Sequence, residues 1–407
     1  MSSFLPPPET AHLPRLGDRS LFPNLEARVY ANHAGISAPS IAVTEAAHFV
    51  FRDYERRGVG AFMTWLAQRA RLKDKLAKLL GASPDEIALT QNTTRGVIDI
   101  ALCFPWNKGD RVAVLAGEFP SNVTPWQRAA DLHGLEVVML SAPDYLTDTG
   151  AALAALKQEL SRGLRLVAVS AVEFQTGFHM PLAEMSALCH AAGAQLFVDA
   201  VQACGIVSLD VAAQGIDYLA AGSHKWLMST EGCGLLYARR ERAAELRPHV
   251  AGWLSHEDGL GFLFHGEGHL RYDRPLKRTI DMIEGGNTNT AGFAALEASL
   301  DLIQKLGVPA IHAHVNAYHD ALEPQLTARG FESLRSKDPA RRSGSLCLRA
   351  PEGVSVVDVQ HDLSAAGISC ACPDGKLRFS PHWPNALAEV PVIVAEIDAI
   401  LARRRAD

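Results

Sequence analysis

The sequence has no C-x-x-C pair. Its seven cysteines (Cys103, Cys189, Cys204, Cys233, Cys347, Cys370 and Cys372) are an odd number spread over 407 residues. That distribution argues against a disulfide framework and for free thiols in a reducing cytoplasm. No apolar segment reaches the roughly 18 residues that span a bilayer. The start, MSSFLPPPETAHLPRLGDRS, lacks the charged-then-apolar order of a secretion signal and reads as an extended Pro-rich lead-in. Long basic runs are also missing, apart from the short ARRRAD tail. The formal net charge is −6 and the pI is about 6.2. Nucleic-acid and membrane-surface binding therefore have no electrostatic support. There is no G-x-G-x-x-G, no P-loop and no H-E-x-x-H, which counts against a nucleotide-binding oxidoreductase and against a zinc-protease site. His312, His314 and His319 share one helical stretch without acidic or cysteine partners, so a solvated helix face is the better reading and no metal is expected. No internal repeat or low-complexity tract occurs.

What is present is a large apolar fraction. With 48% hydrophobic residues over this length, two domains are the natural expectation. From about residue 85 to 240, short β-branched runs alternate with helical stretches. RVAVLAG (111–117), LEVVML (135–140), LRLVAVSAV (164–172), AQLFVDA (194–200) and DYLAAGS (217–223) are the runs. AALAALKQEL (151–160) and LAEMSALCHAAG (182–193) lie between them. This order predicts an α/β fold with a mostly parallel central sheet covered by helices. Ligands of such sheets bind beyond the carboxyl ends of the strands. The polar stretch 265–290 reads as loop-rich, and 291–307 reads as an amphipathic helix ending at Gly307. The last hundred residues mix strands and helices. The expected organisation is an extended segment at 1–30, a large α/β domain at 31–290 and a smaller α+β domain at 291–407.

Five strand ends carry polar residues. In IALTQNTTRG (87–96) a strand ends near Thr90 and a helix starts near Thr94. Helix N-terminal N–H groups beside threonine hydroxyls suit a phosphate, although an ordinary Asn/Thr cap has the same signature. Phe119, after a strand, is placed to lie over a flat ring or in the core. Asp199 ends an apolar run and Gln202 follows it; this carboxylate can hold a proton on a ring nitrogen or cap the next helix. Lys225 interrupts the apolar run at GSHKW (222–226). Arg378 sits inside an apolar strand, where it needs an anion or an acidic neighbour. Together these residues match what pyridoxal phosphate requires. They supply a phosphate cradle, a stacking ring, an acid for the pyridine nitrogen and an amine for the aldehyde. A buried, cationic site lowers the lysine's pKa so that it can act as a base. The arginine fits a substrate carboxylate as a fork.

In this order the sequence resembles the class V aminotransferases, a fold-type I group that includes cysteine desulfurases, cystine C–S lyases and isopenicillin N epimerase-like enzymes. The resemblance rests on NHAG (32–35), TQNTTRG (90–96), GEFPSNVTPW (117–126), VDAVQ (198–202), GSHKW (222–226), EGGNTNTAG (284–292) and LRFSPHWPN (377–385). It implies that Lys225 forms the covalent link to the cofactor and carries the Cα proton. It implies that Asp199 pairs with the pyridinium nitrogen and that Gln202 bonds the phenolic oxygen. Thr93, Thr94, Ser223 and His224 would hold the phosphate. Arg378 would take the substrate carboxylate, with Asn32 and His33 lining the substrate pocket. Asn287 stands where the family often has a threonine reaching the neighbouring subunit's phosphate, which implies a homodimer with shared active sites.

Three departures stand out. Phe119 occupies a stacking position that is often histidine in desulfurases, and it can stack but cannot move protons. Gln175 replaces a position often held by asparagine. The loop that carries a desulfurase's persulfide-forming cysteine looks shortened around Cys370 and Cys372, which favours incidental thiols. The expected function is therefore aminotransfer or β-elimination on a small amino-acid substrate in the cytoplasm. Epimerisation, desulfuration and a non-catalytic binding protein are the alternatives.

Overall fold

The computed structural model describes residues 11–141 and 143–406; the first ten residues of the Pro-rich lead-in lie outside them. The first strand, β1 (Val29–Tyr30), belongs to a small parallel pair considered below. The next seven make the central sheet. They are β2 (Ile87–Thr90), β3 (Arg111–Ala116), β4 (Glu136–Ser141), β5 (Leu164–Ser170), β6 (Gln195–Asp199), β7 (Tyr218–Gly222) and β8 (Gly234–Ala238). Their order is β2-β8-β7-β6-β5-β3-β4. β8 runs antiparallel to both neighbours, and every other adjacent pair is parallel. Strands β6, β7 and β8 are buried along their whole length, as continuous apolar runs require when helices cover both faces. β4 forms one edge and leaves Met139 half exposed.

Helix α1 (Ile41–Arg57) packs on the helix Thr290–Leu306, which packs on helix α2 (Phe62–Leu80), and α2 packs on β2. The helix Thr290–Leu306 was expected to be amphipathic and to open the small domain. Instead every residue from Gly292 to Ile303 is buried, and Phe293, Leu296, Leu300 and Ile303 join the core of the large unit. Its two acidic residues escape an unpaired burial through α2: Glu297 meets Arg71 and Gln68, and Asp301 meets Lys75.

The smaller unit has a three-stranded antiparallel sheet ordered β12-β10-β9, from β9 (Glu332–Ser333), β10 (Leu346–Arg349) and β12 (Leu377–Phe379). Strand β11 (Ile368–Ser369) pairs in parallel with β1. Helix Val308–Thr327 begins in the large core at Ile311 and Val315 and ends in the small one at Tyr318 and Leu322. A bridge between Asn32 and Ser380 continues the contact of the N-terminal segment with the small unit. The segment NHAGIS is thereby laid beside the carboxyl edge of the large sheet.

The three histidines of helix Val308–Thr327 do not converge. His312, His314 and His319 bond the carbonyls of Arg342, Asn385 and Gly344 respectively. His319 is fully buried, and burial pushes its pKa down to about 3.

Candidate active site

Lys225 follows the end of β7 on a turn whose carbonyls are all taken. Ser223 O accepts from Ser229 N (3.0 Å), and His224 O accepts from Ser37 N (2.7 Å). Lys225 O accepts from Met228 N (2.9 Å) and from the Ser37 hydroxyl (2.6 Å), and Trp226 O pairs with His382 Nε2 (3.0 Å). A backbone held this way aims one side chain reproducibly. Gly205, at φ +105°, is required beside it, because a Cβ there would lie 2.4 Å from Trp226 O.

The same pattern fixes two histidines. The Ser37 hydroxyl gives its one proton to Lys225 O, so the 2.8 Å contact with His33 Nδ1 makes that nitrogen the donor. His382 Nδ1 accepts from Trp383 N (2.7 Å), leaving Nε2 to donate to Trp226 O. Burial holds the pKa of both rings below the ordinary histidine value, which keeps them neutral. His33, expected in the substrate pocket, is 1% exposed, packed edge-on against Tyr30 and His382. It supports the lysine turn instead, because the tight turn at NHAG folds the ring inward. Its neighbour Asn32 keeps a buried Oδ1 without a hydrogen-bond partner among the described residues.

The lysine ammonium lies over the Phe119 ring, 5.6 Å from its centroid. Phe119 is 48% exposed, so this half-open ring can still receive a planar group. Asp199 ends β6, next to Ala220 of β7, and is 1% exposed. Burial raises its carboxyl to about 6, against the lowering effects of Val201 N–H and the Lys225 charge. Lys225 is pulled down to about 8, first by burial, with Asp199 opposing and Arg378 assisting.

Arg378 is 5% exposed on β12. Its Nη1 donates to Phe174 O (3.2 Å), its Nε has no partner, and it forms no ion pair among the described residues. The acidic neighbour that would make it purely structural is therefore missing, and burial lowers its pKa.

A cradle opens at the start of helix α3 (Thr93–Cys103). Asn92 caps it by accepting from Arg95 N (2.8 Å), and buried Thr93 accepts from Gly222 N (2.8 Å). A Cβ on Gly222 would lie 3.0 Å from His224 Nδ1 and 3.3 Å from Thr93 Oγ1. Gly96 lets α3 close on β7, since a Cβ there would sit 2.7 Å from Ala220 Cβ. Thr94 is exposed at the same helix end. The helix N-terminus, Thr93 and His224 thus converge where a phosphate fits. The unpaired buried Arg378, the half-open Phe119 face and this cradle match the anionic, planar shape of pyridoxal phosphate with an amino-acid substrate.

Other expected ligands are differently engaged. Ser223 is fully buried and gives its hydroxyl proton to Thr230 O (2.7 Å), so a phosphate would have to displace that bond. Gln202 Nε2 donates to Ala34 O (3.1 Å) and its Oε1 accepts from Trp226 Nε1 (2.9 Å), which leaves one amide proton for a ligand. Asn287 is not with Lys225; it lines a separate cavity of about 340 Å³ with Gln91, Arg95 and Asp99. Gln175 is turned toward Lys376, whose Nζ donates to its Oε1 (3.0 Å). Cys370 is buried, and burial raises its thiol to about 12. Cys372 is partly exposed in a tight hairpin closed by the Ala371–Arg378 bridge.

Sequence reasoning missed Ser37, Phe174, Glu118 and His382. Phe174 meets Phe119 edge-on at 5.5 Å and supplies the carbonyl that holds Arg378. Glu118 lies in GEFPSNVTPW and His382 in LRFSPHWPN, but nothing in their spacing reveals their partners.

The family model for aminotransferase class-V matches residues 42–376. A protein of Methanothermobacter thermautotrophicus named probable cysteine desulfurase is 30% identical, over 93% of this chain and 96% of its own length. An isopenicillin N epimerase of Streptomyces clavuligerus is 26% identical, over 86% of this chain and 87% of its own. Among solved structures, a complex of a cystine C–S lyase with its product cysteine persulfide has a TM-score of 0.84 at 22% identity. That match covers 92% of this chain and 98% of the lyase.

Proposed function

The chain belongs to the class-V aminotransferase family and is a pyridoxal phosphate enzyme, and we propose that it is a lyase that removes a β-substituent from a sulfur-containing amino acid. When bound, the cofactor supplies an electron sink for the pair released at the substrate's α-carbon. The observation that carries the reading is the placement of Lys225 Nζ over Phe119, within electrostatic reach of buried Asp199 and of buried Arg378, which has no ion pair among the described residues.

Each residue then has a task. Arg378 fixes the substrate carboxylate and so orients the α-carbon. Lys225, lowered to about 8, has an appreciable neutral fraction near neutral pH and can take up the Cα proton. Asp199 holds a proton at the ring nitrogen. Thr93, His224 and the α3 N-terminus bind the phosphate. Phe119 stacks but carries no proton, so proton movement falls to Lys225 alone. The relatives named as desulfurases and a C–S lyase support a sulfur-containing substrate. The buried Cys370 thiol and the short Cys372 hairpin favour release of sulfur with the product over its capture by the protein. A homodimer, with the Asn287 cavity facing the second subunit, completes the proposal, as does a cytoplasmic setting.

The test is to reconstitute the protein with pyridoxal phosphate and incubate it with cysteine, cystine and other amino acids. Pyruvate and ammonia in equal amounts, with sulfide from cysteine or a persulfide from cystine, support the lyase. Keto acid with pyridoxamine phosphate would assign aminotransfer, and racemised substrate would assign epimerisation. A colourless protein, or cofactor that borohydride reduction attaches to a residue other than Lys225, contradicts the role given to Lys225.

A further inference from the structure

Glu118 has no part in the chemistry above, yet it links the segments that carry Phe119 and Asp199. It immediately precedes Phe119. Its carboxylate reaches across to the last residue of β5, accepting from Ser170 N (2.5 Å) and from the Ser170 hydroxyl. Ser170 is the register partner of Asp199 on β6, and the next residue, Ala171, donates its N–H to Asp199 O (2.7 Å). One carboxylate thus ties the turn that carries the stacking ring to the strand that backs the ring-nitrogen acid.

We propose that Glu118 is a positioning residue that locks Phe119 and Asp199 into one unit and places a second carboxylate charge beside the cationic ring of the cofactor. The proposal rests on the reading of Asp199 as the ring-nitrogen acid. A loop without this tie would leave Phe119 to its edge contact with Phe174. Burial raises the Glu118 carboxyl to about 7, the two Ser170 bonds oppose the rise, and Asp199 adds to it. Among the described residues Asp199 of β6 is the charged group that acts on Glu118; β5 contributes the neutral Ser170 and the following turn the neutral Asn122. The Asp199 charge disfavours ionised Glu118, and a cation beside them relieves that repulsion. Binding a cofactor whose ring nitrogen is protonated therefore favours ionised Glu118, and ionised Glu118 in turn favours the protonated states of the bound cofactor.

Two substitutions separate shape from charge. Glu118→Gln keeps the size and can still accept from Ser170 N, but it carries no charge. Glu118→Ala removes the tie. In the holoenzyme, the pH midpoint of the visible absorption band is expected to fall by about one pH unit in Glu118→Gln, a tenfold loss of proton affinity. Cofactor affinity, followed by fluorescence, is expected to weaken about tenfold in Glu118→Ala and to recover only in part in Glu118→Gln, which restores the tie but not the charge. A wild-type midpoint in Glu118→Gln, or a wild-type affinity in Glu118→Ala, overturns the proposal. Asp199→Asn serves as the parallel measurement: if it leaves the band's pH behaviour unchanged, the reading of Asp199 fails, whatever the Glu118 variants do.

Discussion

Replacing Arg378 by methionine should make the cofactor-free protein more stable while removing substrate binding. Arg378 is 5% exposed, holds one carbonyl through Nη1 and leaves Nε without a partner. Burying a cation without a counter-charge costs several kcal/mol, and an unsatisfied N–H adds about 1–3 kcal/mol. The charged hydrogen bond to Phe174 O returns only about 1.5–3 kcal/mol. Methionine fills a similar volume without either penalty, so Arg378→Met is expected to gain about 2 kcal/mol. For a chain of this length that is a rise in melting temperature of roughly 2–4 °C. Calorimetry on cofactor-free protein at one fixed concentration would read it, since both ligand and self-association shift the melting point. The same variant should bind amino acids with a free carboxylate about 100-fold more weakly, from the loss of a fork worth about 3 kcal/mol. If Arg378→Met instead destabilised the protein by about 3–5 kcal/mol, the guanidinium would have to be neutralised within the protein. The argument for an external carboxylate would then fail.

Lys225 should react with amine reagents in cofactor-free protein with a midpoint near 8, read from the pH dependence of the labelling rate. Asp199 holds that value up and Arg378 holds it down, so the midpoint should fall in Asp199→Asn and rise in Arg378→Met. Gly222→Ala would put a methyl group 3.0 Å from His224 Nδ1 and 3.3 Å from Thr93 Oγ1. It should therefore weaken pyridoxal phosphate binding at least tenfold while pyridoxal itself is affected less, as paired titrations would show. A bulky maleimide should label one thiol per native chain. Cys372 is partly exposed whereas the other six cysteines are buried, and Cys372→Ser should abolish the label without changing cofactor affinity.

Asp199 and Lys225 could be paired from the sequence because a parallel sheet puts the ends of successive strands on one edge. VDAVQ and GSHKW mark two such ends, and the apolar runs before them fix where the strands stop. Local chemistry of the same kind marked the α3 N-terminus from TQNTTRG. Glu297 and Asp301 give the helix near residue 300 an amphipathic pattern in the sequence, yet both are buried because α2 supplies their cations.

What the chain order alone marked were Lys225, Asp199 and the α3 N-terminus, as candidates for the cofactor's anchor, acid and phosphate site, since each follows from a strand or helix ending. Tertiary structure decided the rest, because it depends on contacts between distant segments that leave no period in the sequence. Ser37 reaches the Lys225 carbonyl across 188 residues. Arg378 meets Phe174 across 204. Whether a carboxylate lay beside that arginine, whether His33 faced substrate or backbone, and whether Cys370 was a nucleophile or a buried thiol were all questions of packing. Burial and partner geometry set the energies of those groups: Cys370 is enclosed by the core of the smaller unit, and Arg378 finds its carbonyl partner only across the two units.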